Sequence, residues 1–170
     1  MLRTQAYKRP RKPLIAFTPK QLLRLSAASS HLDEFTSGGF KPVIGDHTIT
    51  DPASVTRVLL CSGRLYYDLV KEREHRADTS TAIIRLEQLY PLPEAEVAEA
   101  LAQYPNASVT WVQDEPRNQG AWPHLALNLF PSLGRAVRVV SRPESATTAA
   151  GRASLHKEQA ATLIAQAFEG

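Results

Sequence analysis

The stretch at residues 111–122 constrains the fold most, because it joins a strand-like run to a helix-like one. It reads WVQDEPRNQGAW. Residues 108–113 have the apolar character of a strand. Pro116 cannot continue a strand ladder and Gly120 relaxes the backbone, so we predict a strand-to-helix crossover loop. Apolar residues then resume at helical spacing: Ala121, Trp122, Leu125, Leu127 and Leu129.

Strand-like and helix-like stretches alternate along the rest of the chain. Short apolar runs typical of buried strands occur at residues 14–17, 57–61, 82–86 and 137–140. Helical stripes between and after them include Leu65, Tyr66, Leu69 and Val70; Val97, Ala98 and Leu101; and Ala160, Leu163, Ile164, Ala167 and Phe168. This alternation predicts an α/β fold with three layers, in which a mostly parallel sheet of about five strands has helices on both faces. Residues 26–54 and 142–154 are predicted to be irregular connections.

Charge is distributed unevenly. The net charge is +3, but the first 24 residues contain seven basic and no acidic residues, so the remainder is acidic. We therefore predict a basic arm or linker at residues 1–12 and a single α/β domain at residues 13–170. A nucleic-acid-binding domain usually spreads basic residues over its folded face, so this pattern argues against nucleic acid. No apolar run is long enough to span a bilayer, and the single cysteine, Cys61, excludes an internal disulfide.

No complete catalytic or metal-binding constellation is evident. The five histidines show no metal-ligand spacing with one another or with Cys61, and no GxSxG motif occurs. Asp114 and Glu115 are adjacent, so on a strand end they should point to opposite sides and pair with Arg85 or Arg117. We predict a structural loop formed by Trp111, Asp114, Glu115, Pro116, Asn118, Gly120 and Trp122. The residues favour a binding or scaffolding domain over an active site.

Two positions have the chemistry of a phosphate site. Thr18 is predicted to cap a helix that has Pro19 at its first position, with Lys20 and Arg24 one turn apart. Ser62 and Gly63 follow a predicted strand and precede a helix, an arrangement typical of an ordinary crossover connection and also of an anion cradle. The alternative for Lys20 and Arg24 is that they are solvated charges beside a neighbouring domain.

Five strings, in order, resemble the carboxyl-terminal domain of 2-oxoglutarate dehydrogenase, the thiamine-diphosphate-dependent decarboxylating component. They are KPLIAFTPKQLLR, VLLCSGRLYYDL, IIRLEQLYPLP, WVQDEPRNQGAW and SRPESATTAAGRASLHKEQAATLIAQAF. The likeness extends from about Leu2 to the carboxyl terminus. This sequence departs from the family at Asp114, where Glu is usual, and near Thr147 or Thr148, where Pro is usual.

The resemblance implies a transketolase C-terminal-domain-like fold without catalytic residues of its own. Thiamine diphosphate and magnesium would bind in the full enzyme, between two earlier domains that this chain buttresses, and the isolated chain should be inactive. The implied partners are those domains, a second copy in a homodimer and the dihydrolipoyl succinyltransferase component. The implied location is the bacterial cytoplasm, or the mitochondrial matrix in a eukaryote.

The resemblance also implies a possible regulatory site. Some family members bind acyl-CoA or nucleotide effectors, and the residues here that would meet an effector phosphate are Thr18, Lys20, Arg24, Ser62 and Gly63. Two alternative functions stay open at this point. One is a free-standing nucleotide or acyl-CoA binding module of flavodoxin-like shape, and the other is nucleic-acid binding through the basic arm.

Overall fold

The structure is a computed structural model that describes residues 2–10 and 12–169. Contacts divide the chain into two units, Met1–Lys41 and Pro42–Gly170. The division lies between Lys41 and Pro42, whereas the sequence placed a domain boundary after residue 12.

The first unit consists of short helices and irregular backbone. Helix α1 spans Leu2–Tyr7 and α2 spans Asp33–Thr36, with 3-10 helices at Lys20–Arg24 and Ser26–Ala28 between them. None of residues 5–10 and 12–41 is buried. This unit therefore has no hydrophobic core among its described residues.

Two predictions for the first unit are wrong. Residues 14–17 do not form a strand, and the side chains of Ile15 and Phe17 are 77% and 97% exposed. An apolar run becomes a buried strand only where neighbouring strands form hydrogen bonds with its backbone. No described strand pairs with residues 14–17. The predicted α-helix after Thr18 is a five-residue 3-10 helix preceded by Pro19, without a side-chain cap. The backbone of Pro19 is extended (ψ 126°), so the helical turn begins only at Lys20 and Thr18 is not its cap.

The second unit is built on a five-stranded sheet. Its strands are β1 (Val43–Ile44), β2 (Arg57–Cys61), β3 (Thr81–Leu86), β4 (Ser108–Pro116) and β5 (Val137–Arg142). The strand order is β1-β3-β2-β4-β5, and only the β1–β3 pair is antiparallel. The predicted mostly parallel sheet is confirmed, but β1 lies in a segment that we predicted to be an irregular connection.

Helices cover both faces of this sheet. They are α3 (Leu65–His75), α4 (Glu94–Ala102), α5 (Trp122–Asn128) and α6 (Ala153–Ala167). In β2, Val58 and Leu60 belong to one buried cluster, with residues of α4 and α5, while Leu59 and Cys61 belong to another, with residues of α3 and α6. This alternation confirms the three-layer α/β architecture. The predicted stripe on α5 fails at Leu127, which is 78% exposed.

A buried ion pair fastens the segment after β1 to the sheet. The carboxylate of Asp46 accepts hydrogen bonds from Arg73, from the Ile83 N–H (2.8 Å) and from the Thr48 hydroxyl (2.6 Å). The guanidinium of Arg73 also donates to the Thr81 carbonyl (3.1 Å). The side chains of Arg73 and Asp46 are only 8% and 4% exposed. Burial opposes ionisation of Asp46, but these hydrogen bonds outweigh it and hold its pKa below the usual value.

We expect Asp46→Ala to lower the free energy of unfolding by about 3–5 kcal/mol at neutral pH, because Arg73 is left buried and unpaired. A lowered folded-state pKa stabilises the protein above the ordinary value of 3.8, and that stabilisation is lost as pH falls through the folded-state value. The difference from the unsubstituted chain should therefore narrow only below pH 3.8. Urea denaturation at several pH values measures both effects.

The control is Glu74→Ala, an exposed position on the same helix as Arg73. It should change stability by less than about 0.5 kcal/mol. A loss for Asp46→Ala no larger than this control would show that the buried pair does not hold the segment in place.

Candidate functional site

The loops at the carboxyl ends of β2 and β4 form the candidate site. These strands are parallel neighbours, with Leu60 beside Trp111. The chain leaves β2 toward β3 on one side of it, whereas β4 lies on the other side. In open α/β sheets, ligands gather at such a reversal of strand order. The motif at residues 111–122 and the Ser62–Gly63 turn therefore meet where a binding site is expected.

The side chain of Gln113 organises the motif loop. Its Oε1 accepts hydrogen bonds from the Trp111 indole Nε1–H (2.9 Å) and from the Trp122 backbone N–H (2.8 Å). Its Nε2 donates to the carbonyls of Pro116 (3.0 Å) and Gln119 (2.8 Å). The residue is 3% exposed, so these bonds satisfy an amide buried in the fold. The sequence analysis identified Gln113 only as the end of a strand. Its burial could have been predicted because its uncharged amide directly follows Trp111 and Val112, which are apolar.

Gly120 adopts the backbone conformation that the loop needs. Its φ is +66°, in the left-handed region. A β-carbon at this position would lie 2.9 Å from Glu115 Cβ and 3.1 Å from Gln113 Nε2. Both the conformation and the space therefore favour glycine. Strand β4 continues as far as Pro116, which pairs with Arg142 after a register shift, so the strand is longer than predicted.

The two adjacent carboxylates have different surroundings. Asp114 forms an ion pair with Arg64 (2.7 Å), which also pairs with Asp68 (2.5 Å) one turn along α3. Burial disfavours the charged guanidinium of Arg64, but these carboxylates outweigh that effect and raise its pKa. Arg142 donates to the backbone carbonyl of Asp114. No described residue pairs with the Glu115 carboxylate.

Neither arginine that we predicted as an ion-pair partner for this loop has that role. Arg85 lies over the ring of Tyr66, 4.3 Å from its centroid, and its Nε is 3.5 Å from Glu87. Arg117 is exposed and forms no ion pair with a described residue. The actual partner, Arg64, starts a helix fifty residues earlier in the chain, a distance over which sequence spacing gives no guidance.

Two further amides connect the motif loop to the segment after β5. The Asn118 side chain donates to the Ser145 carbonyl (3.0 Å) and accepts from the Ser145 N–H (3.1 Å). Gln119 Nε2 also donates to the Ser145 carbonyl (2.7 Å). Asn118 therefore connects the loop between β4 and α5 to the segment that follows β5.

The five residues of the predicted effector-phosphate site belong to different units. Thr18, Lys20 and Arg24 are in the first unit, and Ser62 and Gly63 are in the second. The α-helix start that supported the first group is absent, as described above. The effector site stays a prediction.

Within residues 2–10 and 12–169, no three His, Cys, Asp or Glu side chains form a group that could hold a metal ion. Burial raises the pKa of the Cys61 thiol to about 12, so its thiolate is not available as a nucleophile near neutral pH. The same part of the chain has no helix with both the length and the apolar character to cross a membrane. The polar network of Gln113, Arg64 and Asn118 supports loop structure.

We expect Gly120→Ala to destabilise the chain by about 2–4 kcal/mol, from the left-handed backbone and from the clash with Glu115. Gly63→Ala is a matched control because Gly63 has nearly the same φ (+63°) but no atom within 4 Å of an added β-carbon. It should cost only about 1–2 kcal/mol. Urea denaturation of both variants measures the difference. Equal losses would contradict the close packing around Gly120.

Comparison with known proteins agrees with this architecture. The sequence model of the family described as "2-oxoglutarate dehydrogenase C-terminal" matches residues 29–168. The chain is 44% identical over 171 residues to the 2-oxoglutarate dehydrogenase E1 component of Cupriavidus necator, and 44% identical to that of Haemophilus influenzae. It is 41% identical over 172 residues to the 2-oxoadipate dehydrogenase complex component E1 of Danio rerio.

These alignments cover 99% of this chain but only 18%, 18% and 19% of the three relatives. The chain thus spans less than a fifth of the length of the relatives it matches. The match to the family model includes β1 to β5 and all of α6. The chain belongs to the 2-oxoglutarate dehydrogenase C-terminal family.

Proposed function

We propose that this chain serves as the non-catalytic, structural and dimer-completing C-terminal domain of a longer 2-oxoglutarate dehydrogenase E1 component. That enzyme would oxidatively decarboxylate 2-oxoglutarate in the tricarboxylic acid cycle and pass the succinyl group to lipoamide. The observation that carries the proposal is the exposed apolar surface of the first unit. The family membership of the chain and the small share of each relative's length that it covers support the same conclusion.

The first unit exposes large apolar side chains that a free-standing domain would bury. Among them, Ile15, Phe17, Leu23 and Leu32 are 77%, 97%, 74% and 77% exposed. Exposed apolar groups this numerous are typical of surfaces that other polypeptides cover. We infer that the other domains of the longer enzyme, or its second subunit, cover them.

Charge supports the same role. Residues 1–41 contain eight Lys or Arg and two Asp or Glu, a net charge of +6, whereas residues 42–170 have a net charge of −3. A cationic and apolar segment complements a surface that is acidic and apolar, and complementary charge favours one partner over others. The first unit thus has the composition of a docking segment.

Thiamine diphosphate and magnesium would have to bind to other parts of the longer enzyme. Magnesium is usually held by carboxylates together with phosphate and water, and the described residues contain no cluster of three His, Cys, Asp or Glu side chains that could hold a metal ion. The proposed partners are the preceding domains of the same enzyme, a second copy in a homodimer and the dihydrolipoyl succinyltransferase component. The proposed location is the cytoplasm of a bacterium, or the mitochondrial matrix in a eukaryote.

A substitution pair tests the docking role. Ile15→Ser and Phe17→Ser should leave the isolated chain within about 0.5 kcal/mol of its original stability, because both side chains are exposed there. In the longer enzyme they should weaken dimerisation and reduce decarboxylation, because a covered apolar side chain contributes about 1.5–3 kcal/mol. Chemical denaturation and analytical ultracentrifugation measure these effects.

Glu99→Ser is the control, since Glu99 is exposed on α4 and polar. It should be neutral in both settings. Decarboxylation of 2-oxoglutarate by the isolated chain, supplied with thiamine diphosphate and magnesium, would contradict the non-catalytic role. Full dimerisation and activity of both serine variants would contradict the docking role of the first unit.

Effector binding is a further part of the proposal and rests on the cations Lys20 and Arg24, which are exposed in the first unit. In the longer enzyme, the double substitution Lys20→Gln and Arg24→Gln should reduce the ratio of acyl-CoA-stimulated to basal activity, because the phosphates lose two counter-charges. The matched control is Arg117→Gln, an exposed arginine in the second unit. A ratio unchanged by the double substitution would remove this part of the proposal.

A further inference from the structure

A cavity of about 470 Å³ opens at the carboxyl ends of β2 and β4, beside the motif loop. Its wall includes Ser62 after β2, Glu115 and Gly120 in the motif loop, and His124 in α5. Leu89 and Tyr90 complete it from the segment after β3. The volume lies within the range of ligand sites, and the position is the reversal of strand order described above.

His124 lines this cavity and has one ring nitrogen without a partner among the described residues. This nitrogen, Nε2, is buried. The Asn128 side-chain N–H₂ group lies 3.3 Å from Nδ1 of the same ring. Since that group can only donate, this contact is a hydrogen bond in the tautomer that has its proton on Nε2. A buried donor without a partner costs free energy, so a ligand that accepts from it gains affinity.

Glu115 supplies a charge that no neighbour balances. Its side chain is exposed and forms no hydrogen bond or ion pair with a described residue, in contrast to Asp114, which pairs with Arg64. The Ser62 hydroxyl also lacks a partner in the described part of the chain. No Lys or Arg lines the cavity. The cavity therefore has one negative charge, one free donor and one free hydroxyl.

We propose that this cavity binds a basic polypeptide segment of the longer enzyme. A lysine or arginine of that segment would pair with Glu115, while a main-chain carbonyl beside it would accept from His124 Nε2–H. Tyr90, which is 83% exposed, would present its ring to the cation, and Leu89 would contact its aliphatic stem. An anionic ligand would meet Glu115 with like charge. The proposal adds a binding site to the proposed docking function, and it rests on that function because the segment would come from the longer enzyme.

The test uses the 170-residue chain and a minimal probe, N-acetyl-arginine-N-methylamide, which has both a guanidinium and flanking carbonyls. The matched probe is the citrulline analogue, which has the same shape without the charge. Nuclear magnetic resonance titration should show saturable shifts of the His124 and Tyr90 ring signals at millimolar concentration of the arginine probe. The citrulline probe should bind about two- to fivefold more weakly, because it keeps N–H donors but loses the charge that pairs with the exposed carboxylate of Glu115.

Variants locate the binding. Glu115→Gln should weaken binding of the arginine probe by about two- to fivefold, because the exposed ion pair is lost. Glu94→Gln, at an exposed glutamate on α4, should have no effect. Amide spectra of both variants verify that they are folded. The proposal is overturned by equal binding of the two probes, by unchanged binding to the Glu115→Gln variant, or by the absence of saturable shifts.

Adenosine serves as a third probe for the alternative of a planar, amino-bearing ring. Shifts of the same ring signals by adenosine, with none by the arginine probe, would overturn the proposal in favour of a small-molecule site. The test needs no longer enzyme, so its result is separable from that of Ile15→Ser and Phe17→Ser. If the arginine probe does not bind while those variants disrupt the longer enzyme, the docking function stands and the cavity assignment falls. If the probe binds while those variants have no effect, the cavity assignment stands and the docking function of the first unit falls.

Discussion

The buried amide of Gln113 is the interaction on which the ligand-facing edge of the sheet depends. One side chain fixes the indole of Trp111, the first turn of α5 and two carbonyls of the loop between them. An amide can do this because it combines an acceptor with two donors in one plane. A carboxylate in its place could not donate to the carbonyls, and an apolar residue would leave all four groups without these bonds. The loop conformation thus follows from the chemistry of one residue.

The predictable part of the fold is the part where burial imposes a period. Strands β2 to β5 each pair with at least one long strand, and helices α3 to α6 each cover one face of the sheet. Their apolar patterns are therefore strong. The short strand β1 has only Val43 and Ile44, and two residues give no period. The apolar run at residues 14–17 has the composition of a strand but no neighbour to pair with. Composition therefore describes what a segment can bury, and topology decides whether it does so.

The candidate site divides in the same way. The loop between β4 and α5 could be predicted from Gly120, because its left-handed backbone conformation favours glycine. The prediction that Pro116 ends the strand is wrong, since Pro116 lies in β4 and pairs with Arg142. The ion pair of Arg64 with Asp114, and the hydrogen bonds from Asn118 to Ser145, join residues 50 and 27 positions apart. Such contacts depend on strand order, which the sequence does not encode locally. Gln113 was overlooked because a glutamine at a strand end is usually solvated.

The use of polar groups in the motif loop separates support from recognition. Gln113, Asp114 and Asn118 have partners within the unit, and these bonds hold the backbone between β4 and α5. Glu115, next to Asp114, is exposed, and its side chain has no partner in the described part of the chain. Because its neighbours are fixed, the Glu115 backbone is held in place without any contact from its own carboxylate. Only the side chain of Glu115 has to become ordered when a cation binds, which favours recognition over loop stability as its role.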